Sequence, residues 1–505
     1  MPRSTALKAL CRLCPGLLAF ALVLATTGCR NNLEVKPQGF VTDEALFATP
    51  ENAKLGVNGC YNVLRFNQFN EGLFPILDIM ADDYVKGSNP TDALSNIGLP
   101  YDRFQLNAST TNSQDWYAAL YVGVRRTNSV IERVPSTPMD APLRNRYLAE
   151  ARFLRALFYL DLARAFGNVP FVTTVNAPPA NRVRQASAIE IYNEIIKPDL
   201  DFARQNLPLR YTGDDLGRAT SGAANGLLAR AALFFKDWAV ARDAAVAVIN
   251  SNVYSLEPNF IDAFSVARQH GPESVFEIGA TPQEDFFGQD LGGNQYGNVQ
   301  GVRGSPNRGW GFNRPTYAFL KAFEPGDVRR RQSFINLGDT LDGIVITGDG
   351  GTPDVTIVNG DTTEIEVYNR KVWTPGNNVP TQWGHNRRYI RYADVLLMAA
   401  EAIVETGGDP AQAAGYINQV RARARGGNPA ALPDVLPGDD LRQAVYRERR
   451  FELASESSRF YDLVRTGRTE LMVPMGFVRG KHELQPIPQT EIDISGGHLK
   501  QNPQY

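Results

Sequence analysis

Apolar side chains recur every three or four residues over long stretches of this chain, which is the period of an amphipathic α-helix. The clearest stretch is 141–166, where the stripe includes Leu154 and Phe158 and stops before Gly167 and Pro170. Glycine and proline in these places favour the end of a helix. The same period predicts further helices at about 44–64, 114–134, 187–206, 220–235, 237–250, 389–406, 409–425 and 439–456.

Two of the predicted helix pairs, in 221–249 and 389–424, have the same layout. Each begins with a helix rich in small residues, turns through glycine or aspartate, and returns in an alanine-rich helix. This is the helix–turn–helix unit of tetratricopeptide repeats, about 34 residues long, although the full repeat consensus is absent. A single pair cannot bury its apolar face alone, so we expect the pairs to stack into a scaffold.

The region from about 252 to 382 has a different composition. It is rich in glycine, asparagine, proline and aromatic residues, and it lacks helical periodicity except at 317–323. Two β-branched runs, 344–346 and 355–358, lie between Gly/Asp turns and predict one small hairpin. The predicted fold class is therefore mostly α: a tetratricopeptide-like helix-pair scaffold with a loop-rich lobe that contains a few short β-strands.

The N-terminus has the layout of a secretory signal. Basic residues come first, the apolar run 16–25 follows, and small residues lead to Cys29. The run is shorter than the roughly 20 residues that span a bilayer. A cysteine directly after the cleavage site is the bacterial lipoprotein arrangement, so Cys29 is the predicted lipidation site. Thr26 stands where lipoprotein signals usually have leucine, and an ordinary signal peptide with an incidental cysteine is the alternative.

These segments predict the organisation of the whole chain. No apolar stretch after Ala25 is long enough to cross a membrane, so we expect the lipid to hold the mature chain at a membrane with its body in water. The predicted parts are a signal peptide at 1–28, a lipidated tether at 29–42, an N-terminal helical scaffold at 43–251, a loop-rich lobe on the ligand-binding side at 252–388, and a C-terminal helical part of the same fold at 389–505.

Composition and cysteine content argue against several classes of protein. The 505 residues carry a net charge of −2, which argues against a nucleic acid held through its phosphates. Cys11 and Cys14 leave with the signal and Cys29 is acylated, so Cys60 has no partner for a disulfide or a cysteine-based zinc site. The four histidines are scattered, and no phosphate-binding loop or serine-nucleophile motif is present.

Three glutamates four residues apart, Glu448, Glu452 and Glu456, share one side of a predicted helix. Like charges at this spacing repel each other unless positive partners lie nearby. A metal or acid–base cluster is one interpretation, but a network of ion pairs is favoured. The expected partners are the arginines close in sequence, Arg449, Arg450, Arg459 and Arg465.

A second group of carboxylates, Asp78, Asp82 and Asp83, lies in a predicted loop. Glycoside hydrolysis needs two carboxylates roughly 5–10 Å apart in a cleft, but acidic loop residues are mostly solvated or hydrogen-bonded to backbone. The Asp/Gly run 338–354 fails the spacing of a calcium loop. We therefore predict no catalytic residue, no metal site and no cofactor.

Aromatic residues in the loops are the candidates for ligand contacts. Sugars present flat C–H faces that pack on aromatic rings, while their hydroxyls pair with Asn, Asp, Gln and Arg side chains. Loops that mix these types, at 292–296 and 307–313, are suited to such a platform, and packing of the rings in the core of the lobe is the alternative. The predicted ligand contacts are Tyr84, Tyr101, Tyr296, Trp310 and Asn313.

Several segments together resemble the RagB/SusD family of outer-membrane nutrient-binding lipoproteins. The most specific is YLAEARFLRALFY at 147–159, followed by FGNVP at 166–170. Further matches follow in order along the mature chain: LEVKP at 33–37, NGCY at 58–61, RYADVLLMAAEA at 391–402, INQVRAR at 417–423, ERRFELA at 448–454, RFYDLVR at 459–465, LQPIP at 484–488 and QNPQY at 501–505.

The resemblance implies both a fold and a function. Members of the family stack tetratricopeptide-like helix pairs, sit on the outer face of the outer membrane and cap a TonB-dependent transporter barrel. They capture oligosaccharides or, in some members, peptides, and do no chemistry on them. Because the shared motifs belong to the scaffold, they assign no ligand residue, and the contacts named above depend on the aromatic loops alone.

The expected function is that of an outward-facing outer-membrane lipoprotein, not an enzyme, that binds a nutrient, foremost an oligo- or polysaccharide. It would deliver this nutrient to a partner SusC-like TonB-dependent transporter. Two alternatives from other classes stay open. One is a glycan hydrolase that uses the loop carboxylates, and the other is a non-catalytic helical scaffold that holds a protein partner.

Overall fold

The computed structural model of the protein describes residues 43–66, 78–89, 91–92, 95–176, 179–280, 295–376 and 384–505. The predicted signal peptide, Cys29 and the tether lie outside this part of the chain. No helix among the described residues is long and apolar enough to cross a membrane. By internal contacts the chain divides into two units, 1–46 and 47–505. One short helix of the first unit is described, and the other described helices and strands belong to the second unit.

The helices and strands of the described residues alternate unevenly along the chain. The helices are α1 (Asp43–Leu46), α2 (Pro50–Asn62), α3 (Ser95–Asp102), α4 (Thr111–Arg133), α5 (Ala141–Phe166), α6 (Ala188–Ile191), α7 (Lys197–Asn206), α8 (Ser221–Phe234), α9 (Trp238–Asn250), α10 (Gln295–Gln300), α11 (Tyr317–Ala322), α12 (Arg329–Ser333), α13 (Tyr392–Glu405), α14 (Pro410–Ala424), α15 (Leu441–Glu452), α16 (Arg459–Arg465) and α17 (Gln489–Ile494). The strands are β1 (Tyr84–Gly87), β2 (Val169–Pro170), β3 (Gln185–Ala186), β4 (Ser274–Ile278), β5 (Phe312–Pro315), β6 (Phe334–Asn336), β7 (Thr340–Leu341), β8 (Ile344–Val345), β9 (Val355–Val358), β10 (Asp361–Ile365), β11 (Val367–Asn369) and β12 (Arg387–Arg391).

Helix α5 shows how local residues set the limits of an element. Asp140 precedes the helix and accepts a hydrogen bond from the backbone N–H of Leu143 at 2.7 Å. Gly167 follows the helix with a φ of 70°, which glycine adopts at little cost. Every residue from 153 to 166 is buried, so α5 is a central helix of the scaffold. The predicted range of 141–166 is confirmed.

The long helices pack on one another largely in chain order. Helix α4 packs on α5, α5 on α7, α7 on α8, α8 on α9, α9 on α13, and α13 on both α14 and α15. Small residues permit close approach: a Cβ added to Gly123 of α4 would lie 2.5 Å from the Phe158 ring of α5. This succession matches the expected stack of helix pairs, and the mostly α fold class is confirmed.

The strands of the loop-rich region form short, two-stranded antiparallel pairs. β1 pairs with β5, β4 with β12, β6 with β11, β7 with β8, and β9 with β10. The predicted hairpin between 344–346 and 355–358 is wrong, because each run pairs with another strand. Two tight turns, Asp342-Gly343 and Asn359-Gly360, close separate hairpins, and all four residues have positive φ. Asp-Gly and Asn-Gly are the pairs that favour this turn.

The helix predicted at 389–406 begins later, at Tyr392, because 387–391 form strand β12. β12 pairs with β4, with Arg387 opposite Ile278. A Cβ added to Gly226 of α8 would lie 3.2 Å from Ile390, so the small residue lets this helix lie close to the strand. Since β12 runs directly into α13, continuous backbone joins the lobe to the scaffold here.

Candidate functional site

Two of the predicted contact rings, Tyr84 and Tyr296, are hydrogen-bonded to one residue, Ser455, in the segment after α15. Tyr84 begins β1, which runs antiparallel to β5, and Tyr296 lies on α10. The Tyr84 hydroxyl lies 3.0 Å from Oγ of Ser455. The Tyr296 hydroxyl donates to the carbonyl oxygen of the same residue at 2.8 Å. Both tyrosines therefore tie the lobe to the segment that follows α15.

Burial removes Tyr84 and Tyr296 from the set of sugar contacts. Tyr84 is 3% exposed and Tyr296 is 7% exposed. The Tyr84 ring packs against Phe319 with 5.6 Å between centroids, and the guanidinium of Arg387 lies 4.7 Å from the centroid of the Tyr296 ring. Burial also raises the pKa of both hydroxyls, so they stay protonated. A sugar can stack only on an open ring face. Both rings therefore belong to the core of the protein, which was the alternative to a sugar platform.

Asn313 and Tyr101 are buried as well. Asn313 has a φ of 58°, and its Nδ2 donates to Oε1 of Gln300 at 2.8 Å; Asn369 donates to the same oxygen at 3.0 Å. The Tyr101 hydroxyl pairs with Oγ of Ser113 at 2.9 Å, and burial raises its pKa. Both side chains hold the fold together, and their prediction as ligand contacts is corrected on that ground.

Trp310 is the predicted contact whose side chain stays partly exposed. Its backbone N–H donates to the carbonyl oxygen of Asn298 at 2.8 Å. A Cβ added to the preceding Gly309 would lie 2.5 Å from Cα of Gly301, and Gly311 has a φ of 74°. The loop backbone therefore packs tightly against the end of α10, which fixes the backbone that carries the indole. Trp310 stays a prediction as a sugar contact.

Polar side chains from two other segments lie beside the Trp310 loop. The N–H of Ser88 donates to the carbonyl oxygen of Gly311 at 2.7 Å. Arg303 joins the segments, donating from Nη1 to Oγ of Ser88 at 2.9 Å and from Nε to Oδ2 of Asp349 at 2.6 Å. Burial raises the pKa of Asp349, but backbone N–H groups and Arg303 bring it below its ordinary value. These three residues were not predicted from the sequence, because no spacing connects positions so far apart.

The loop carboxylates Asp78, Asp82 and Asp83 already have partners. Asp82 pairs with Arg459 at 2.7 Å, Nε of Arg450 donates to Asp83 at 2.7 Å, and Asp78 accepts two backbone N–H groups, each at 3.0 Å. Burial raises the pKa of Asp78 to about 7, against the lowering effect of those two N–H groups. These are the contacts of structural carboxylates, and they give the hydrolase alternative no support.

The three glutamates of α15 and the turn after it belong to a buried ion-pair network, as favoured from the sequence. Glu448 pairs with Arg329 at 2.6 Å and Glu452 with Arg391 at 2.9 Å. Arg423 is a further partner of Glu452. Although burial raises the pKa of Glu452, the surrounding guanidinium groups hold it well below its usual range.

The partners expected for these glutamates were wrong. The arginines that are near in sequence pair elsewhere: Arg449 and Arg465 with Asp462, Arg450 with Asp83, and Arg459 with Asp82. Adjacent residues of a helix point about 100° apart, so a neighbour in sequence faces a different part of the fold. The cations that do face α15 come from other segments of the chain.

Among the described residues, no three His, Cys, Asp or Glu side chains are grouped so that they could hold a metal ion. Within the Asp/Gly run, Asp339 accepts the backbone N–H of Asn336 at 2.8 Å and pairs with Arg331 at 2.7 Å. Burial raises the pKa of the Cys60 thiol.

Residues 292–294 of the first predicted platform loop lie outside the described residues.

A larger opening, here called the scaffold cleft, lies between α2, the loop 209–218 and β4. It consists of two adjoining cavities of about 540 and 590 Å³, which share Leu216, Arg218 and Glu277 among their lining residues. The Arg218 guanidinium is paired with Glu150 at 2.9 Å. None of the five predicted ligand contacts lines this cleft, so it is a separate place where a small ligand would fit.

Two family models match the chain over separate ranges. The model described as "SusD family" matches 249–475, and a model described as "Starch-binding associating with outer membrane" matches 78–233. The chain belongs to the SusD family. The SusD match over 249–475 contains both the Trp310 loop and the glutamates of α15.

Relatives of nearly full length agree with this SusD assignment. The SusD-like protein P2 of Formosa agariphila is 27% identical over an alignment of 517 positions, which covers 96% of this chain and 98% of the relative. A solved SusD homolog from Bacteroides thetaiotaomicron is 26% identical, with a TM-score of 0.78 over 92% of this chain and 98% of that chain. A solved laminarin binding SusD-like protein is 28% identical, with a TM-score of 0.76 over 91% of this chain and 100% of that chain.

The names of these SusD relatives bear on catalysis. One family description and one solved relative are named for binding. The expectation that this chain is not an enzyme is confirmed by its family.

Proposed function

We propose that this protein binds an oligosaccharide or polysaccharide at the surface of a bacterial outer membrane and passes it to a partner SusC-like TonB-dependent transporter. The observation that carries the proposal is family membership together with the 28% identical solved relative that is named as laminarin binding. The matched description "Starch-binding associating with outer membrane" supports the same class of ligand and the same location.

The Trp310 loop, 307–313, is the proposed contact surface. Its indole is partly exposed and its backbone is fixed by close packing on α10. A sugar ring stacked on the indole would bring its hydroxyls towards Arg303 and Asp349, which supply a donor and an acceptor beside the loop. This arrangement suits a neutral glycan better than an apolar ligand.

Binding is tested with the full chain in detergent, titrated calorimetrically with laminarin and with starch. We expect saturable binding of a glucan, and no release of reducing ends during prolonged incubation. Trp310→Ala is expected to weaken binding at least about tenfold, which corresponds to about 1.4 kcal/mol. Release of reducing ends, or failure of a broad polysaccharide panel to bind, would contradict the function.

Two control variants separate the proposed surface from other places. Trp238, at the start of α9, is also partly exposed, and Trp238→Ala is expected to leave binding unchanged. Leu216, which lines the scaffold cleft and is 54% exposed, supplies the second control as Leu216→Ala. A loss of affinity in the cleft variant with none in the Trp310 variant would move the site to the cleft.

The membrane anchor is tested at Cys29. Labelled palmitate fed to a Gram-negative host is expected to enter the wild-type chain and not the variant Cys29→Ser, which should leave the membrane fraction. An unlabelled wild-type protein would support the ordinary signal peptide instead. The transporter partner is tested by purification from native outer membranes, where a TonB-dependent barrel is expected in equal amount; recovery of the chain without any barrel would contradict delivery.

A further inference from the structure

Arg387 is a buried cation without an anionic partner. The residue is 5% exposed, and among the described residues its guanidinium makes no ion pair and no hydrogen bond, with Nη1 fully enclosed. The other arginines of β12 differ from it. Arg388 donates to three backbone carbonyl oxygens, and Arg391 is bonded to three glutamates. An unpaired buried charge is costly, so a site that keeps one usually contains a compensating group.

Two aromatic rings give Arg387 partial compensation. Its guanidinium carbon lies 4.7 Å from the centroid of Tyr296 and 5.5 Å from that of Tyr389. Such cation–π contacts are worth about 0.5–2 kcal/mol each. They hold the guanidinium in place, but a ring supplies no lone pair of the kind that an N–H group finds on a carboxylate, so the hydrogen-bonding capacity of Arg387 stays unused.

Arg387 lines a small cavity together with other residues that carry buried polar atoms without a partner. Arg387, Arg164 and Ser457 line a space of about 40 Å³. Nε of Arg164 and Oγ of Ser457 are buried without a hydrogen-bond partner, as is Nη1 of Arg387. The space exceeds the ~10–15 Å³ that a water molecule needs, and it is too small for a sugar ring. It fits a particle of the size of chloride.

The charges around the cavity leave a positive excess. The lining includes the six arginines Arg164, Arg230, Arg387, Arg388, Arg449 and Arg465, with the two carboxylates Glu456 and Asp462. Both carboxylates are engaged: Asp462 accepts from Arg449 at 2.9 Å and from Arg465 at 2.8 Å, and Glu456 pairs with Lys371 at 2.6 Å.

Acidic groups just outside the lining are paired with the other arginines. Asp161 pairs with Arg164, Asp394 with Arg230 and Arg449, and Glu401 with Arg465. After these pairings Arg387 is left over, because no carboxylate among the described residues lies within ion-pair distance of it.

We propose that this cavity binds one small monovalent inorganic anion of the size of chloride, held by the N–H groups of Arg387 and Arg164 and by the hydroxyl of Ser457. The anion would neutralise Arg387 and so stabilise the contact between β12 and α10, which carries Tyr296. The site is separate from the Trp310 loop and does not depend on the proposed glycan binding.

Chloride-35 nuclear magnetic resonance on the full chain in detergent tests the site, at constant ionic strength made up with gluconate. The wild-type protein is expected to broaden the chloride line in a saturable way, and bromide should displace the effect. Arg387→Gln is expected to reduce the excess width at least about fivefold. Arg184→Gln, at a guanidinium that is 49% exposed, is the matched control and should leave the width unchanged. No saturable broadening, or equal broadening in Arg387→Gln, would overturn the proposal.

A crystal of the wild-type protein grown in sodium bromide gives a second measurement if Arg387→Gln does not fold. Anomalous density for bromide within hydrogen-bond distance of Arg387 is the expected result. Density in the cavity that carries no anomalous signal would identify water and overturn the proposal.

Discussion

The helical scaffold and the loop-rich lobe differ in how far along the chain their deciding contacts reach. Helix α5 is limited by Asp140 and Gly167, which adjoin it, and the long helices pack mainly on the next one in order. In the lobe and in β1, which pairs with it, Tyr296 is hydrogen-bonded to a residue 159 positions away and Tyr84 to the same residue 371 positions away. Local pattern therefore identifies the scaffold, whereas the burial of a ring in the lobe depends on distant partners.

Removing Glu452 tests the scaffold side and has the largest expected effect. Glu452→Ala removes a carboxylate that pairs with both Arg391 and Arg423, so each of these buried arginines loses one anionic partner. Breaking a buried ion pair by removing one partner costs about 3–5 kcal/mol. We expect the free energy of unfolding, measured by urea titration, to fall by about this amount.

Glu470 provides the matched control for that experiment. It pairs with Arg479 at 3.2 Å, but the two side chains are 53% and 60% exposed. Such surface pairs contribute about 0–1 kcal/mol, and Glu470→Ala should cost no more than that. Equal losses in the two variants would show that burial adds nothing to the network.

The pH dependence of stability tests the buried contact that Asp78, ahead of β1, makes with the segment after α15. Its pKa is about 7 in the folded protein and 3.8 for an ordinary aspartate. A raised pKa stabilises the fold below pH about 4, and this contribution is lost as the pH rises through about 7. An asparagine at this position cannot titrate. Between pH 4 and 7 the free energy of unfolding of Asp78→Asn should therefore fall by roughly 1–4 kcal/mol less than that of the wild type.

Urea titrations at several pH values between 4 and 7 measure that decline. The exposed carboxyl Asp243 gives the control, and Asp243→Asn should leave the slope of stability against pH as it is in the wild type. A slope that is the same in Asp78→Asn as in the wild type would contradict a raised pKa at this residue.

A change in the β9–β10 hairpin tests whether the lobe unfolds locally. Gly360 has a φ of 88°, a conformation that costs other residues about 1–2 kcal/mol. Gly360→Ala should speed hydrogen exchange of the β10 amides about tenfold, with the global urea midpoint unchanged. Gly438→Ala, at an exposed glycine with open space around it, should change neither quantity. A shift of the global midpoint in Gly360→Ala would show that the hairpin is cooperative with the scaffold.

The smallest expected effect on stability belongs to Trp310. Trp310→Ala should lower the free energy of unfolding by less than about 1 kcal/mol, because the indole is partly exposed. Trp116 is 0% exposed, and Trp116→Ala should cost about 3–5 kcal/mol. Similar losses in the two variants, compared by urea titration, would place Trp310 in the core of the lobe and remove it from the ligand surface.

The sequence predicted the scaffold well because its signals are local. The limits of α5 were predicted to the residue, and those of α14 to within one residue at each end. The single hairpin predicted in the lobe was wrong although the correct signal was also local: Asp342-Gly343 and Asn359-Gly360 mark two tight turns. Turn chemistry, rather than the spacing of the β-branched runs, was the better guide there.

The candidate site was harder to predict for a different reason. Nothing near Tyr84 in sequence indicates that Ser455 will cover its hydroxyl, and nothing near Trp310 indicates that its indole will stay partly open. Arg387 is distinguished from the other arginines of β12 by lacking a partner, which is a property of the folded chain alone. Rings and cations of the lobe therefore need the three-dimensional structure before a role can be assigned.

The buried network around α15 restricts motion as well as stabilising the fold. Glu448 and Glu452 are bonded to cations on other segments at distances near 2.6–2.9 Å. Sliding α15 along its axis by one residue, about 1.5 Å, would stretch several of these bonds at once. Shear between neighbouring helices is thereby opposed, so this part of the protein should move as a rigid body, and any adjustment on ligand binding falls to the loops that it carries.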